Sequence, residues 1–269
     1  MVTPDSLFTG SIPELYDALM VPMLFAPYAV DIASRLVVLQ PETVLETAAG
    51  TGAVTREIVA RLTPTARIVS SDLNPDMLAR AQASISDNRI TWAQADAMAL
   101  PFDAARFDAV LCQFGVMFFP DRVQAYREAR RVLKHGGTFL FNVWDSAAQN
   151  DFVRVASAEL TRIFPNDPPV FMARTPHGYF DLARIEADLR AAGFTEIMIE
   201  TVAMISQAGS AMDAAMAYCQ GTPLRGEILA RGPGRLADVT QMVAQALARD
   251  FGQGPIAGQV TGFVISAKG

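Results

Sequence analysis

At 269 residues the chain is long enough to bury a large core, and hydrophobic residues make up 51% of it, which excludes an intrinsically disordered protein. The formal net charge is −6 and the basic residues are scattered rather than clustered, so no nucleic-acid partner is predicted. The sequence also lacks an uncharged apolar run of roughly 18 residues, so no membrane span is predicted.

The N-terminus and the cysteines indicate the compartment. The first ten residues, MVTPDSLFTG, lack the basic start and apolar run of a secretion signal. Cys112 and Cys219 lie far apart and form no metal-type pair. We therefore predict a cytoplasmic protein with no metal site.

The predicted elements begin with a helical stretch, Pro13 to Leu39, which is interrupted by Pro22 and Pro27. Strands and helices then alternate in the following order: strand Thr43–Thr47, helix Ala53–Leu62, strand Arg67–Ser71, helix Pro75–Ser84, strands Arg89–Gln94 and Phe107–Gln113, helix Arg122–Lys134 and strand Thr138–Trp144. Alternation of this kind builds a parallel sheet whose two faces are covered by helices.

After Trp144 the regular alternation of predicted strands and helices ends. The further predicted elements are helix Ala147–Phe164, an irregular segment that includes PNDPPVFMARTPHGYF, helix Asp181–Ala192, strand Thr195–Ile205, helices Ser210–Tyr218 and Pro233–Arg249, and strand Val260–Ala267. No internal repeat or linker marks a second domain, so we predict one domain over residues 1–269.

The stretch VLETAAGTGAVTREI, Val44 to Ile58, predicts a ligand site. A strand runs into a glycine-containing turn and then a helix, which places backbone amides at the carboxyl edge of the sheet, where open α/β folds bind ligands. Asp72 ends the second strand and can accept hydrogen bonds from both hydroxyls of a ribose. These two features fit a dinucleotide and another nucleoside ligand equally well.

Two details disfavour a dinucleotide, and a third disfavours a nucleoside triphosphate. A dinucleotide fold uses G-x-G-x-x-G, but Val54 and Thr55 occupy the region of the third glycine. Glu46 would repel a diphosphate and suits a cationic ligand. The loop also lacks the G-K-[ST] of a triphosphate site.

VLETAAGTG resembles the first motif of class I S-adenosylmethionine-dependent methyltransferases. SSDLNPDML, QADAMALPF, FDAVLCQFGVMFF and RVLKHGG follow in the order of that family. Together with PELYDALMVPMLFAPYA, they are similar to the small-molecule branch that includes ubiquinone and menaquinone biosynthesis enzymes. The resemblance extends over residues 10–145. Ala48 replaces the usual glycine of the first loop, and His135 replaces the usual proline of LKPGG.

The resemblance implies a Rossmann-like sheet of seven strands in the order 3-2-1-4-5-7-6, with Val260–Ala267 inserted antiparallel as the last strand. It implies a helical cap at 1–40, a cofactor-binding core at 41–145 and lid segments at 146–194 and 206–257. Lys268 should then lie away from the Ala48–Gly52 loop.

The resemblance also implies S-adenosylmethionine as the cofactor and assigns residues to its parts. Asp72 would bind the ribose, Glu46 would order the loop and face the cationic end, and Asp96 would accept from the adenine amino group. The remaining predicted cofactor residues are Thr47, Ala48, Gly50, Thr51 and Gly52 along the loop, Leu73, Met77, Ala95 and Ala97 around the adenine, Gln113 and Phe114 at the methionine end, and Tyr16 and Tyr28 from the cap. The three acidic residues also have structural interpretations. Asp72 could be a helix cap, Asp96 a turn residue and Glu46 a strand-end carboxylate.

The segments beyond the core are rich in Met and Phe, which suits either a plain core or an apolar acceptor site. The candidate acceptor residues are Met117, Phe118, Phe171, His177, Tyr179, Met212 and Met216. His177 is a candidate general base, whereas Cys112, inside an apolar strand, is interpreted as core. A small-molecule acceptor is the predicted partner, and a homodimer is compatible with the sequence. The alternative functions are a nicotinamide dehydrogenase and a non-catalytic binder of the cofactor.

Overall fold

A computed structural model describes Asp5, Phe8, Gly10 and residues 12–232 and 234–269. Residues 1–4, 6, 7, 9 and 11 of the predicted cap lie outside the described residues, as does Pro233, the first residue of a predicted helix. The described cap is helical: α1 (Ile12–Leu15), a π-helix (Tyr16–Phe25) that contains Pro22, and α2 (Ala26–Val38). The helical run Ile12–Val38 has the length and mean hydropathy, 1.4, of a membrane span, but half of its apolar window is buried within the protein. Core helices of water-soluble proteins have the same properties, so this is weak evidence for a membrane span.

The described elements after the cap begin with five parallel strands and the helices between them. In chain order these are β1 (Thr43–Glu46), α3 (Ala53–Arg61), β2 (Arg67–Asp72), α4 (Pro75–Ser84), β3 (Ile90–Gln94), β4 (Phe107–Gln113), α5 (Arg122–Val132) and β5 (Leu133–Trp144). The remaining elements are α6 (Asp151–Ile163), α7 (Phe171–Arg174), α8 (Leu182–Ala191), β6 (Glu196–Ala208), α9 (Ala211–Gln220), α10 (Leu224–Ala230), α11 (Leu236–Phe251) and β7 (Ile256–Lys268). Short 3₁₀ turns lie at Val116–Phe118 and Ala147–Gln149.

The sheet confirms the predicted architecture. Its seven strands run in the order β3-β2-β1-β4-β5-β7-β6. β1 pairs parallel with β2 and β4, and β5 pairs antiparallel with β7 from Thr138–Lys268 to Trp144–Gly262. Lys268 therefore lies beside the amino-terminal part of β5, at the opposite edge from the loop after β1. This position also contradicts a sixth parallel strand, which a dinucleotide fold would have.

The structure differs most clearly from the predicted elements at three places, one of which is helix α10 (Leu224–Ala230), which was not predicted. β5 begins at Leu133, although helix α5 was predicted to continue to Lys134, because the buried Leu133 pairs with Phe107 of β4. The segment from residue 165 to 180 was predicted to be irregular, but it contains the short helix α7.

The chain divides into two compact units. The first comprises residues 1–27, 145–178 and 203–261, and contains helices α6, α7, α9, α10 and α11. The second comprises residues 28–144, 179–202 and 262–269, and contains strands β1 to β5 with helices α2 (from Tyr28), α3, α4, α5 and α8. The core of the second unit joins α2 and α3 to the sheet through buried side chains that include Ile32, Leu36, Val44, Ile58, Leu111 and Leu140. The single domain remains a prediction.

Candidate functional site

The loop between β1 and α3 is held by hydrogen bonds on both sides. The Thr47 amide donates to the Leu111 carbonyl of β4 at 2.8 Å, and the Ala49 amide donates to the Ser71 carbonyl of β2 at 3.0 Å. The parallel register of β1 with β2 and β4 brings these groups together. The loop backbone is therefore fixed before helix α3 begins.

Three loop residues have left-handed backbone conformations: Ala48 with φ 52°, Gly50 with φ 57° and Gly52 with φ 84°. Glycine adopts this conformation without a steric penalty, but alanine does not, so Ala48 is strained. Gly52 has a second constraint, since a Cβ there would lie 2.6 Å from Cδ1 of Ile85. The end of helix α4 therefore packs directly against Gly52, since the same Cβ would lie 3.2 Å from Cβ of Ala81.

Gly115, just after β4, accommodates the methyl group of Ala48. A Cβ on Gly115 would lie 2.5 Å from Cβ of Ala48 and 2.7 Å from Sγ of Cys112. No role for Gly115 was predicted from the sequence. The glycine in QFGV, directly after an apolar strand, was the available signal.

Asp72, at the end of β2, holds the loop directly. Its Oδ2 accepts from the Gly50 amide at 2.8 Å and its Oδ1 accepts from the Asn74 amide at 2.8 Å. Desolvation raises the pKa of this carboxyl group, although the backbone N–H donors of Asn74, Gly50 and Leu73 oppose the shift. The helix-capping interpretation of Asp72 is not needed for α4, because the Asn74 side chain accepts from Asp76 and Met77.

The residues predicted to surround the adenine lie close to this carboxylate. Leu73 is 38% exposed next to it, whereas Met77 is buried in α4. A Cβ built on Gly50 would lie 3.8 Å from Cε of Met77, so Met77 borders the loop. The Ala95 amide donates to the Asp72 carbonyl at 3.0 Å. Asp96 forms a turn, in which its Oδ1 accepts from the Met98 amide at 2.8 Å, and Ala97 is half-buried between them.

Glu46, the last residue of β1, is buried and accepts two hydrogen bonds on one oxygen. Its Oε2 accepts from Thr55 Oγ1 of α3 at 2.5 Å and from Ser70 Oγ of β2 at 2.8 Å. Desolvation raises the pKa of Glu46 to about 7; the hydrogen bonds from Thr55 and Ser70 lower it, and the charge of Asp72 raises it further. Glu46 therefore joins β1, β2 and α3 below the loop, and its protonation changes near neutral pH.

At the end of β4, Gln113 is half-buried and Phe114 has φ 48°, a strained conformation for an aromatic residue. The Phe114 ring stacks on Trp144, with centroids 3.5 Å apart, and Tyr28 packs edge-on against both rings. The Tyr28 hydroxyl donates to the Val202 carbonyl at 2.7 Å. These contacts give Tyr28 a structural role, and closure of Tyr28 over the cofactor stays a prediction.

The other predicted residues are distributed over the two units. Met117 is buried and Phe118 half-buried in the turn after β4, and Tyr179 is buried in the same unit. The remaining residues belong to the other unit: Tyr16, which stacks on Phe25 at 5.0 Å, the buried Phe171 and His177, and the half-buried Met212 and Met216 of α9.

The candidate base His177 is neutral near pH 7. Its Nδ1 lies 2.7 Å from the Asp145 carbonyl, which can only accept, so Nδ1 carries the hydrogen. Desolvation lowers the pKa of His177 to about 4. Burial likewise raises the pKa of Cys112 to about 12, which keeps it a thiol. Among the described residues, no three His, Cys, Asp or Glu side chains are grouped to hold a metal ion.

The loop and its surroundings fit S-adenosylmethionine. Thr51 is buried, and its Oγ1 has no hydrogen-bond partner within the described chain, which leaves a polar atom for a ligand. The two carboxylates, Glu46 and Asp72, suit a ribose and a cationic sulfonium, whereas they would repel a diphosphate.

Comparisons with known proteins identify the type of domain in this part of the chain. Residues 45–141 match a family model described as a methyltransferase domain. A demethylmenaquinone methyltransferase of Deinococcus radiodurans is 36% identical over 127 residues, which cover 46% of this chain and 52% of that protein. The chain spans only 41% to 52% of the length of the curated relatives that it matches.

Solved structures share the fold. The phosphoethanolamine N-methyltransferase 2 of Haemonchus contortus, in complex with phosphomonomethylethanolamine and S-adenosylhomocysteine, superposes with a TM-score of 0.64 at 17% identity, covering 100% of this chain and 61% of the other. The [4+2]-cyclase SpnF superposes with a TM-score of 0.59 at 17% identity, covering 99% and 97%. At such identities the likeness extends to the fold alone.

Proposed function

Because the chain carries a class I S-adenosylmethionine-dependent methyltransferase domain, we propose that it transfers a methyl group from this cofactor to a small, largely apolar acceptor. The observation that carries the proposal is the hydrogen bond from the Gly50 amide to Asp72 Oδ2. It brings the glycine-containing loop and the ribose-binding carboxylate together at the carboxyl edge of the sheet, where open α/β folds bind nucleosides.

S-adenosylmethionine, when bound, supplies a methyl group on a sulfonium, which is already a good leaving group. The chain's own contribution is then binding, alignment and exclusion of water. Asp72 holds the ribose, the 47–52 loop holds the amino-acid part, and Glu46 supports the loop from below. In its ionised form Glu46 also favours a cationic ligand.

Proton removal from the acceptor needs a dedicated base only when the acceptor is still protonated as it attacks. His177, with its pKa lowered to about 4, is a weak base and best suits an acceptor that ionises easily. Cys112, with its pKa raised to about 12, does not serve as a covalent nucleophile. We therefore propose direct in-line displacement, without a covalent enzyme intermediate.

The name of the Deinococcus relative favours an acceptor with an apolar ring. Methionine and aromatic side chains on the acceptor-side segments suit such a molecule, because they adapt their shape to apolar ligands. Met117, Phe118 and Tyr179, which belong to the same unit as the loop after β1, are the residues proposed for this role. We also propose a cytoplasmic location, and a homodimer remains to be tested by sedimentation.

Calorimetry with S-adenosylmethionine, S-adenosylhomocysteine and NAD tests the cofactor. We expect both sulfur ligands to bind and NAD not to bind; tight NAD binding without a response to the sulfur ligands would make the chain a dehydrogenase instead. A screen of quinols, phenols and small acids, read out as released S-adenosylhomocysteine, tests the transfer. Cofactor binding without turnover of any acceptor would favour a non-catalytic binding protein or a chemistry like that of the cyclase.

A further inference from the structure

Asn142 is a fully buried polar residue near the end of an apolar strand. It lies in β5, between Gln113 of β4 and Val264 of β7 in the register of the sheet, and its exposed fraction is 0%. Its Nδ2 makes no hydrogen bond to any described residue. Buried amide groups are nearly always paired, so an unpaired one needs an explanation.

The orientation of this amide group is fixed by chemistry. Asn142 Oδ1 accepts from the Phe114 amide at 2.8 Å. A flipped side chain would place two hydrogen-bond donors against each other, so Oδ1 must face Phe114 and the NH₂ group must face away. The carbonyl oxygen of the Asn142 side chain is thus used by Phe114, the strained residue after β4. The two N–H groups of Nδ2 remain for another partner.

An apolar side chain would avoid the unpaired donor. The Phe114 amide has a second acceptor, the backbone carbonyl of Asn142 at 3.2 Å, so it would remain bonded without the side chain. Leu140 and Val143 show that this strand otherwise uses apolar residues. A polar residue that its own fold does not need marks a position where a ligand supplies the missing partner.

The place in the fold indicates the ligand. Asn142 lies near the carboxyl end of β5, two residues before its last residue, Trp144. Open α/β sheets bind ligands at the carboxyl ends of their strands. Side chains alternate along a strand, so Trp144 lies on the same face as Asn142, and its ring stacks on Phe114. A flat ring that carries an oxygen would find both an N–H donor and aromatic neighbours here.

We infer that Asn142 binds the methyl acceptor through its Nδ2, and that the acceptor carries a carbonyl, enol or phenol oxygen on an apolar ring. This inference rests on the proposed function and deepens it. A protonated amine has no lone pair to offer Nδ2, so ammonium acceptors are excluded from this position. Asn142 positions the acceptor oxygen and takes no part in proton transfer.

The test compares the parent with Asn142→Leu, and a buried, fully bonded asparagine provides the matched control. Asn150 donates to the Ser146 carbonyl at 2.9 Å and accepts from the Thr261 amide at 3.0 Å. Urea unfolding without ligand should give N142L a midpoint equal to or above that of the parent, and N150L a clearly lower one. A midpoint of N142L as low as that of N150L would mean that an ordered water completes a structural role, and would overturn the inference.

Ligand binding is measured with 2-naphthol and 2-methylnaphthalene in the presence of S-adenosylhomocysteine, by ligand-observed NMR. These probes have similar shapes and differ in the oxygen. The parent should prefer 2-naphthol by roughly tenfold, and N142L should lose that preference. The inference would be overturned if the parent and N142L showed the same preference for 2-naphthol, or if the parent bound neither probe.

Calorimetry with S-adenosylhomocysteine separates this inference from the proposed function. N142L should bind it within about twofold of the parent, since the loop between β1 and α3 is untouched and the Phe114 amide keeps the Asn142 carbonyl as its acceptor. Loss of binding in N142L alone would show that Asn142 serves the cofactor, which would overturn the inference only. No binding to the parent would instead refute the proposed function.

Discussion

The contact between Gly115 and Ala48 predicts that a single added methyl group will disturb the loop between β1 and α3, which we propose binds the cofactor. In Gly115→Ala, the new Cβ would lie 2.5 Å from Cβ of Ala48 and 2.7 Å from Sγ of Cys112. The Ala48 methyl group has no torsion by which it could turn away, and Cys112 is fully buried, so the backbone after β4 or the loop must move. Overpacking of this kind costs about 1–3 kcal/mol. We also expect weaker binding of S-adenosylhomocysteine, because the loop moves.

A second variant isolates the cause. Ala48→Gly removes one of the two close contacts and relieves the left-handed alanine, a strain of about 1–2 kcal/mol that the greater flexibility of unfolded glycine partly offsets. The double variant should therefore lose less stability than G115A does, with a coupling energy of about 1 kcal/mol or more. Cys112 still crowds the new methyl group, so recovery should be incomplete.

Urea unfolding of the parent, both single variants and the double variant gives the coupling energy. Gly226→Ala is the control, because a Cβ at Gly226 in helix α10 meets no atom within 4 Å. Alanine there should stabilise the protein by about 0.5–1 kcal/mol. Strict additivity of A48G and G115A would refute the reasoning, since two residues in direct steric conflict cannot act independently.

Two further predictions concern the carboxylates. Asp72→Ala should weaken S-adenosylmethionine binding by about tenfold or more. It should also lower the free energy of unfolding by about 1–3 kcal/mol, because the Gly50 and Asn74 amides lose their acceptor. An affinity equal to that of the control Asp76→Ala would refute the ribose assignment. For Glu46 the folded pKa, about 7, lies above the unfolded value of 4.5, so its contribution to stability is present below pH 4.5 and is lost as the pH rises through 7. The parent should lose roughly 3 kcal/mol over this range and Glu46→Gln should not. In the parent, but not in Glu46→Gln, the affinity for S-adenosylmethionine relative to S-adenosylhomocysteine, which lacks the sulfonium charge, should rise through the same range. Calorimetry at several pH values would show this.

Much of the fold could be predicted because its signals are local. The start of α4 follows from the cap Asn74 and from Pro75 at the first helical position, and β4 is a plain apolar run. The start of β5 was missed because KHGG has the composition of a turn, while the pairing of Leu133 with Phe107 depends on residues far away.

The two short helices α7 and α10 were missed for a related reason. Helices of 4 and 7 residues are too short to show a hydrophobic period. The amino end of α7 is held by Glu227 of α10, whose carboxylate accepts from the amides of Val170 and Phe171. A cap supplied by a residue so distant in the sequence leaves no local pattern.

The candidate site shows the same division. The loop, Glu46 and Asp72 were predicted because they lie within motifs that are short and close together in the sequence. Gly115 and Asn142 were not, because their importance comes from a neighbour: the methyl group of Ala48 in one case and the amide of Phe114 in the other. Only the register of the strands places these atoms side by side.

The interior position of β7 has a consequence for the order in which the protein can fold on the ribosome. β7 lies between β5 and β6, yet it is the last strand to be synthesised. Until it emerges, the outer side of β5 presents unpaired amides and carbonyls, and β6 has no neighbour to join. Such open edges invite pairing with other chains. The nascent protein therefore passes through a period in which the parallel half of the sheet is complete but unprotected, and this is when a chaperone would have most effect on its yield.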